Sequence, residues 1–330
     1  MPAKIITALG FKFDEAFDVK GRLSISDLFP KTKKRCGIYL LNFSDDTFYI
    51  GQAIDVVKRF SQHRKKYDSI IRCWFIEVDR EKLNEVEEQL IRSAEDQGLL
   101  ITNKTFVSSV IGETDLDLII HPNDQENWLE NGVDLSNDGF DLYSKIDLKY
   151  KIKYQHNFEV LKQNEHYDQM KRVLKKYIEI CLPAHKKTEL SFWSLSCLPS
   201  TNIGTYPRFF CMNINAMEVF VMGYSKKERK LFCFVNLTER FLDDIENVEG
   251  ELQRYYSIYK TLNISQTNYR AAGKDQVQFG FEDIDEFELF LTQEQPVVDS
   301  IKEMNLRLMR KGGTIYSPFH CFNLVKDILE

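Results

Sequence analysis

Arg59 and His63 stand four residues apart in the run IDVVKRFSQHRKK and so share one helical face, roughly opposite Val56 and Phe60. An arginine offers a phosphate oxygen two hydrogen bonds from a planar fork and keeps its charge. A histidine accepts or delivers a proton near neutral pH. The same spacing also suits a plain surface helix with an Asp55–Arg59 pair and a solvated histidine. In the next helical run, Glu87 falls inside an apolar stripe of Leu83, Val86, Leu90, Ile91 and Ala94, whereas Glu85 lies well off it and Glu88 near its edge. A carboxylate on a packed face is costly unless it is paired or holds a cation. Glu87 therefore calls for either a basic partner or a hard cation such as Mg²⁺.

Two tyrosines precede these helices in GIYLLNFSDDTFYIG, residues 37–51. Strand alternation sends Tyr39 to the face opposite Ile38 and Leu40, and Tyr49 to the face opposite Phe48 and Ile50. With both apolar pairs facing one core, the tyrosines share the other face, which demands an odd-numbered loop or a bulge. Gly51 ends the second strand where a ligand could approach closely. An ordinary hairpin with two half-buried tyrosines satisfies the same pattern.

The elements that must hold these groups read as β-β-α-β-α: strands GIYLLNF and FYIGQ around the turn 44–47, a helix over 54–66, a strand over 71–78, and a helix from about 80 to 97 stopped by Gly98. The predicted fold class is α/β: an N-terminal domain over 1–110 with a small three-stranded antiparallel sheet and flanking helices, then an α+β domain over 151–330 with an antiparallel sheet. Residues 111–150 read as an acidic connector. In the last part Met170, Val173, Leu174, Tyr177, Ile178 and Cys181 recur at helical spacing. The aromatic-rich runs LSFWSLSCL, RFFCMNI, EVFVMGY, KLFCFVNL, YYSIYKTL and QVQFGF follow, with a hairpin turn at SKKER. A final helix starts near Pro296 and ends before Gly312-Gly313.

A chain of 330 residues, 43% hydrophobic and 28% charged, is long enough for two domains that each bury a core. No apolar run reaches the length of a membrane span, and charges come too early at the N-terminus for a secretory signal, so a cytoplasmic location is expected. The seven cysteines are scattered without a CxxC, and no HExxH is present, which argues against a zinc ribbon or a disulfide framework. The net charge of −6 is unevenly spread: 18 basic against 16 acidic residues over 1–110, and 2 against 10 over 111–150. The basic residues cluster at Lys33, Lys34 and Arg35 and at Lys58, Arg64, Lys65 and Lys66. Clustered charge is what attracts a phosphate backbone; two solvated faces give the same pattern.

Residues 36–104 resemble the GIY-YIG nuclease family: Gly37-Ile38-Tyr39, then Tyr49-Ile50-Gly51, then Arg59 and His63 in one helix, Glu87 in the next, and Asn103 after it. The resemblance implies a DNA endonuclease that hydrolyses phosphodiester bonds with one Mg²⁺ or Mn²⁺ per site. It implies that Glu87 holds the metal, which acts as a Lewis acid on the leaving 3′ oxygen, with Glu88 as the alternative. Arg59 would clamp the scissile phosphate. Tyr39 and Tyr49 would position or deprotonate the attacking water, His63 would accept the proton with help from Tyr39, and Asn103 would support the site through hydrogen bonds. No helix-hairpin-helix, cysteine-rich zinc module or repeated DNA-binding tail accompanies these motifs. By elimination this suggests restriction, defence or mobile-element biology in a bacterium or phage. Cutting both strands calls for a homodimer or sequential nicks. Two other function classes stand beside this one: a nucleic-acid-binding protein that cleaves nothing, and an effector whose C-terminal domain senses a ligand or partner. In that domain Lys226, Lys227, Arg229 and Lys230 could touch phosphates.

Overall fold

The hairpin that carries both tyrosines is formed by β2 (Gly37–Phe43) and β3 (Phe48–Ala53) in the computed structural model, which describes residue 13 and residues 16–135, 140–242 and 246–330. The chain divides into two units, 1–112 and 113–330. In the first, β1 (Phe17–Asp18), β2, β3 and β4 (Ile70–Glu77) form an antiparallel sheet in the order β1-β4-β2-β3. The expected three strands are therefore four. The added one is two residues long, too short to show an alternation, and pairs Phe17 with Cys73.

Helix α1 (Val56–Arg64) begins at Asp55, whose carboxylate accepts from the backbone of Val57 and Lys58. Helix α2 (Leu83–Asp96) follows a 3₁₀ turn over Arg80–Lys82 and gives way at Gly98, where φ is +69°. The helices cover opposite faces of the sheet. Ile38, Leu40, Phe48 and Ile50 pack with Leu83, Leu90, Ile91 and Ala94 of α2. Tyr39, Leu41 and Phe43 pack with Val56 and Phe60 of α1. The hairpin loop has the odd count that the tyrosines require. Asn42 pairs with Phe48, Phe43 N–H donates to Thr47 O at 2.9 Å, and residues 44–46 turn the chain with Asp46 at φ 62°.

In the second unit six antiparallel strands run in the order β5-β6-β7-β8-β10-β9: β5 (Trp193–Cys197), β6 (Arg208–Ile214), β7 (Met217–Ser225), β8 (Lys230–Thr238), β9 (Asn263–Gln266) and β10 (Gln276–Phe281). One face packs against helices that include α7 (Tyr167–Cys181), α10 (Ile284–Gln293) and α11 (Gln295–Arg310), numbered in chain order after α3 (Pro122–Asn131), α4 (Leu142–Lys145), α5 (Leu148–Ile152), α6 (Gln155–Lys162), α8 (His185–Thr188) and α9 (Val248–Ile258). A last helix, α12 (Phe322–Leu329), follows the one expected from Pro296. Two expectations are corrected. The run YYSIYKTL is no strand: its first half ends helix α9, with Tyr255 and Tyr259 buried by packing and Tyr256 exposed. The acidic stretch 111–150 is no bare connector: Leu116, Ile120 and Trp128 enter the second unit's core, and Asp117 pairs with Arg310. All seven cysteines are free thiols. Among the described residues no helix is long and apolar enough to cross a membrane.

Arg64, expected on a phosphate-binding surface, is instead an internal clamp. It is 5% exposed and donates to the carbonyls of Val19 (2.7 Å), Asp68 (2.9 Å) and Ile70 (2.9 Å). It thereby ties the end of α1 to the one end of the β1–β4 pair where β1 finishes and β4 begins. Arg64→Met should strand buried carbonyls and lower the unfolding free energy by about 1–3 kcal/mol, read from urea titration; unchanged stability would show the clamp to be dispensable.

Candidate active site

Tyr39 and Gly51 are cross-strand partners in the β2–β3 ladder, and Leu41 pairs with Tyr49, so both tyrosine rings lie on the α1 face. The missing side chain at Gly51 is what admits the Tyr39 ring. A Cβ there would stand 2.6 Å from Tyr39 Cζ and 2.8 Å from Tyr49 Cε1, and closer still to the Tyr39 hydroxyl. The ring centroids of the two tyrosines are 6.2 Å apart.

The Tyr39 hydroxyl is the centre of a short network. It lies 2.8 Å from His63 Nε2 and accepts from Arg59 Nε at 3.2 Å. With its oxygen already accepting from a guanidinium, its own proton is best directed at the imidazole. The ring of His63 packs 4.8 Å from that of Tyr49 and stacks on Tyr67 at 6.3 Å. Residues Arg59 and His63 share a face as their spacing requires, but His63 is buried where a solvated ring was the plainer reading.

Burial, with the charges of Arg59 and Lys66, pulls the His63 pKa from 6.5 down to about 4, so the ring is a neutral acceptor through the neutral range. Burial likewise pushes the Tyr39 phenol well above its usual 10, with Tyr49 adding to the rise and Arg59 opposing it. The Tyr49 phenol is raised as well, by burial first. Neither phenol is a ready base by itself, and Tyr39 acts best by passing a proton on to His63.

Glu87 sits on the other side of the sheet, on α2, beside the Gln52 side chain of β3. Its Oε2 accepts from Gln52 Nε2 at 2.7 Å, and the same amide donates to Asn84 Oδ1 at 2.7 Å. Its charge acts on both Tyr39 and Tyr49. Glu88 instead turns to Arg92, 2.6 Å away in a helical pair. The Glu87 carboxylate is half-buried and not sealed in the core, held by a neutral amide. That donor set fits a hard cation bound through one carboxylate, with water completing the shell. Among the described residues no group of three or more His, Cys, Asp or Glu forms a larger metal cage.

Asn103 acts on backbone rather than on reacting atoms. Buried, it accepts from Ile50 N at 3.0 Å and donates to Ile50 O at 2.7 Å, occupying the outer edge of β3 as a paired strand would. Residues 100–102 cover the edge beside it through Phe48 N–Leu100 O and Thr102 N–Phe48 O, both 2.8 Å. Gln52 and Asn84 were not singled out from sequence; the signal available was the position of Gln52 directly after Gly51, on the Glu87 side.

Of the basic residues expected to meet DNA, Lys33, Lys34, Lys58, Lys65 and Lys66 are exposed. Arg35, like Arg64, is corrected to a structural role: its guanidinium donates to Phe29 O at 2.9 Å and lies 3.6 Å from Asp55. Comparison with models of known families, with curated proteins and with solved structures finds no match to this chain.

Two outcomes test this geometry. Gly51→Ala should displace the Tyr39 ring, break its contact with His63, and cost about 1–3 kcal/mol of stability, measured by urea unfolding. Because the folded His63 pKa lies below the unfolded one, the unfolded chain takes up the proton first. The stability gained from neutral His63 is complete above 6.5 and is lost as pH falls toward about 4. His63→Gln should flatten that part of the stability–pH curve. An imidazole signal titrating near 6.5 in the folded protein would contradict the burial argument.

Proposed function

We propose that the N-terminal unit is a GIY-YIG nuclease domain and that the protein is a metal-dependent DNA endonuclease. The observation that carries this reading is the Tyr39 hydroxyl held between Arg59 and His63, on a strand pair whose Gln52 also holds Glu87. An inert hairpin has no need of a phenol that joins a guanidinium to a neutral imidazole.

In the proposed reaction Tyr39 orients the attacking water and takes its proton as its own hydroxyl proton moves to His63 Nε2. Arg59 keeps the phenolic oxygen polarised through Nε and faces the scissile phosphate with the exposed remainder of its guanidinium, offsetting charge as it develops. Tyr49 packs against His63 and Tyr39 and fixes the approach of the water. Glu87, oriented by Gln52, would hold one Mg²⁺ or Mn²⁺, which when bound supplies Lewis acidity to the leaving 3′ oxygen. Asn103 positions β3. Lys33, Lys34, Lys58, Lys65 and Lys66 supply cationic surface for the DNA backbone. A role in restriction, defence or mobile-element biology, with a homodimer or sequential nicks for double-strand cleavage, accompanies this reading.

The deciding experiment is cleavage of supercoiled plasmid and of phage DNA with Mg²⁺, with EDTA, and by Glu87→Ala in Mg²⁺. Nicking or linearisation should occur only in the first condition. Tyr39→Phe and Arg59→Ala should each lower the rate by about 10²–10³-fold at unchanged fold. The same background in every lane would sink the nuclease reading in favour of a protein that binds nucleic acid or senses a ligand.

A further inference from the structure

The six-stranded sheet of the second unit turns one face away from the apolar core, and a row of polar side chains crosses it at a single height. Ser194 pairs with Asn213, Asn213 with Glu218, Asn236 with Gln278, and Gln278 with Ser265. The Asn236 amide closes the one gap, donating to Glu218 O at 2.7 Å and accepting from Gln278 Nε2 at 3.3 Å. A polar sheet face is ordinary where it meets water. Half of this row does not: Ser194, Asn213 and Asn236 are 1%, 5% and 0% exposed, while Glu218, Gln278 and Ser265 are half-buried. Apolar residues would fill such a space without the need to satisfy each hydrogen bond.

A cavity of about 460 Å³ opens at the Ser194–Glu218 end of this row. Ser196, Cys211, Asn213 and Glu218 reach it from the sheet, and Tyr154, Tyr316 and Phe319 line it from outside. Register shifts fall between Arg208 and Phe210 and again between Met212 and Asn213, on either side of Cys211. Two register shifts bracketing Phe210–Met212 re-aim the side chains on that stretch, a device common beside binding sites.

The lining specifies a chemistry. Among the described residues its only charges are Arg208 and Glu218, which contact each other directly, so the cavity offers no surplus charge to an ion. Asn213 has both a donor and an acceptor there; among the described residues they meet only Cys211, at 3.4 Å to O and at 3.5 and 3.7 Å to Sγ, a weak hydrogen-bonding partner. Such contacts are readily exchanged for a ligand's. A buried amide reads the hydrogen-bonding edge of a base, and aromatic rings at the entrance suit a flat ring that stacks. The volume lies in the range of small-molecule sites.

The geometry points to a binding site for an uncharged nucleobase in this cavity, with the base edge on Asn213 and its plane against the aromatic rim. The base can arrive as a free nucleoside or as a nucleotide extruded from a strand. This inference is independent of cleavage by the N-terminal unit.

The test is calorimetric titration of the full chain in EDTA with the four deoxynucleosides, their 5′-monophosphates, a matched duplex, and a duplex carrying one unpaired base. At least one deoxynucleoside should bind, its monophosphate no more tightly, and Asn213→Ala should weaken it by about tenfold or more. Preference for the unpaired-base duplex, lost in Asn213→Ala, would identify a strand as the source. Phe319→Ala, at a position 54% exposed and so without consequence for folding, should weaken the same ligands and guards against misfolding of the other variant. The site is refuted if neither nucleoside nor unpaired base is bound, if both variants bind as the parent does, or if the phosphate contributes more than the base.

Discussion

The candidate site hangs on the absence of one side chain. Tyr39 can lie across its partner strand only because residue 51 is glycine, and the ring's position sets everything attached to its hydroxyl. Arg59 meets that oxygen from one side and His63 from the other. The imidazole in turn is buried by the tyrosines and by Tyr67, which is why it stays neutral. A methyl group at position 51 would therefore disturb a hydrogen-bond network, a burial pattern and a protonation state together.

The second constraint is the rim of β3. The tyrosine–histidine–arginine group belongs to the core under α1 and Glu87 to the layer under α2, and the sheet separates them. Alternation along β3, the last named strand of its sheet, joins them in sequence: Tyr49 and Gly51 face α1, while Gln52 faces α2 and donates to Glu87. Asn103 and residues 100–102 complete the edge as far as Ile50.

Much of this was legible in sequence because period and spacing carry it. The shared face of Arg59 and His63 and the α2 stripe follow from helical repeats, and the common face of Tyr39 and Tyr49 follows from strand alternation once the loop is odd. What was not legible depends on contacts between distant segments. The two-residue strand β1 has no period to read. Arg64 and Lys65 are adjacent and chemically alike, yet one is spent on three internal carbonyls and the other is exposed, a distinction set by where β1 and β4 end. Gln52 matters only once α2 is laid over it. Acidic composition hid the apolar anchors Leu116, Ile120 and Trp128, because three residues suffice to dock a polar stretch. The row from Ser194 to Ser265 joins five strands whose spacing along the chain says nothing of their common height.

The three-residue turn at 44–46 has a further consequence, one of parity. Side chains in a hairpin change faces with every residue added between the strands. A single insertion there would carry Tyr49 to the α2 layer while Tyr39 stayed with α1, separating the pair without altering either tyrosine. Two inserted residues would restore the phase and keep both rings together. Among relatives of this chain, loop lengths at this turn should therefore differ in steps of two wherever both tyrosines remain in use, and an odd step should accompany the loss of one of them.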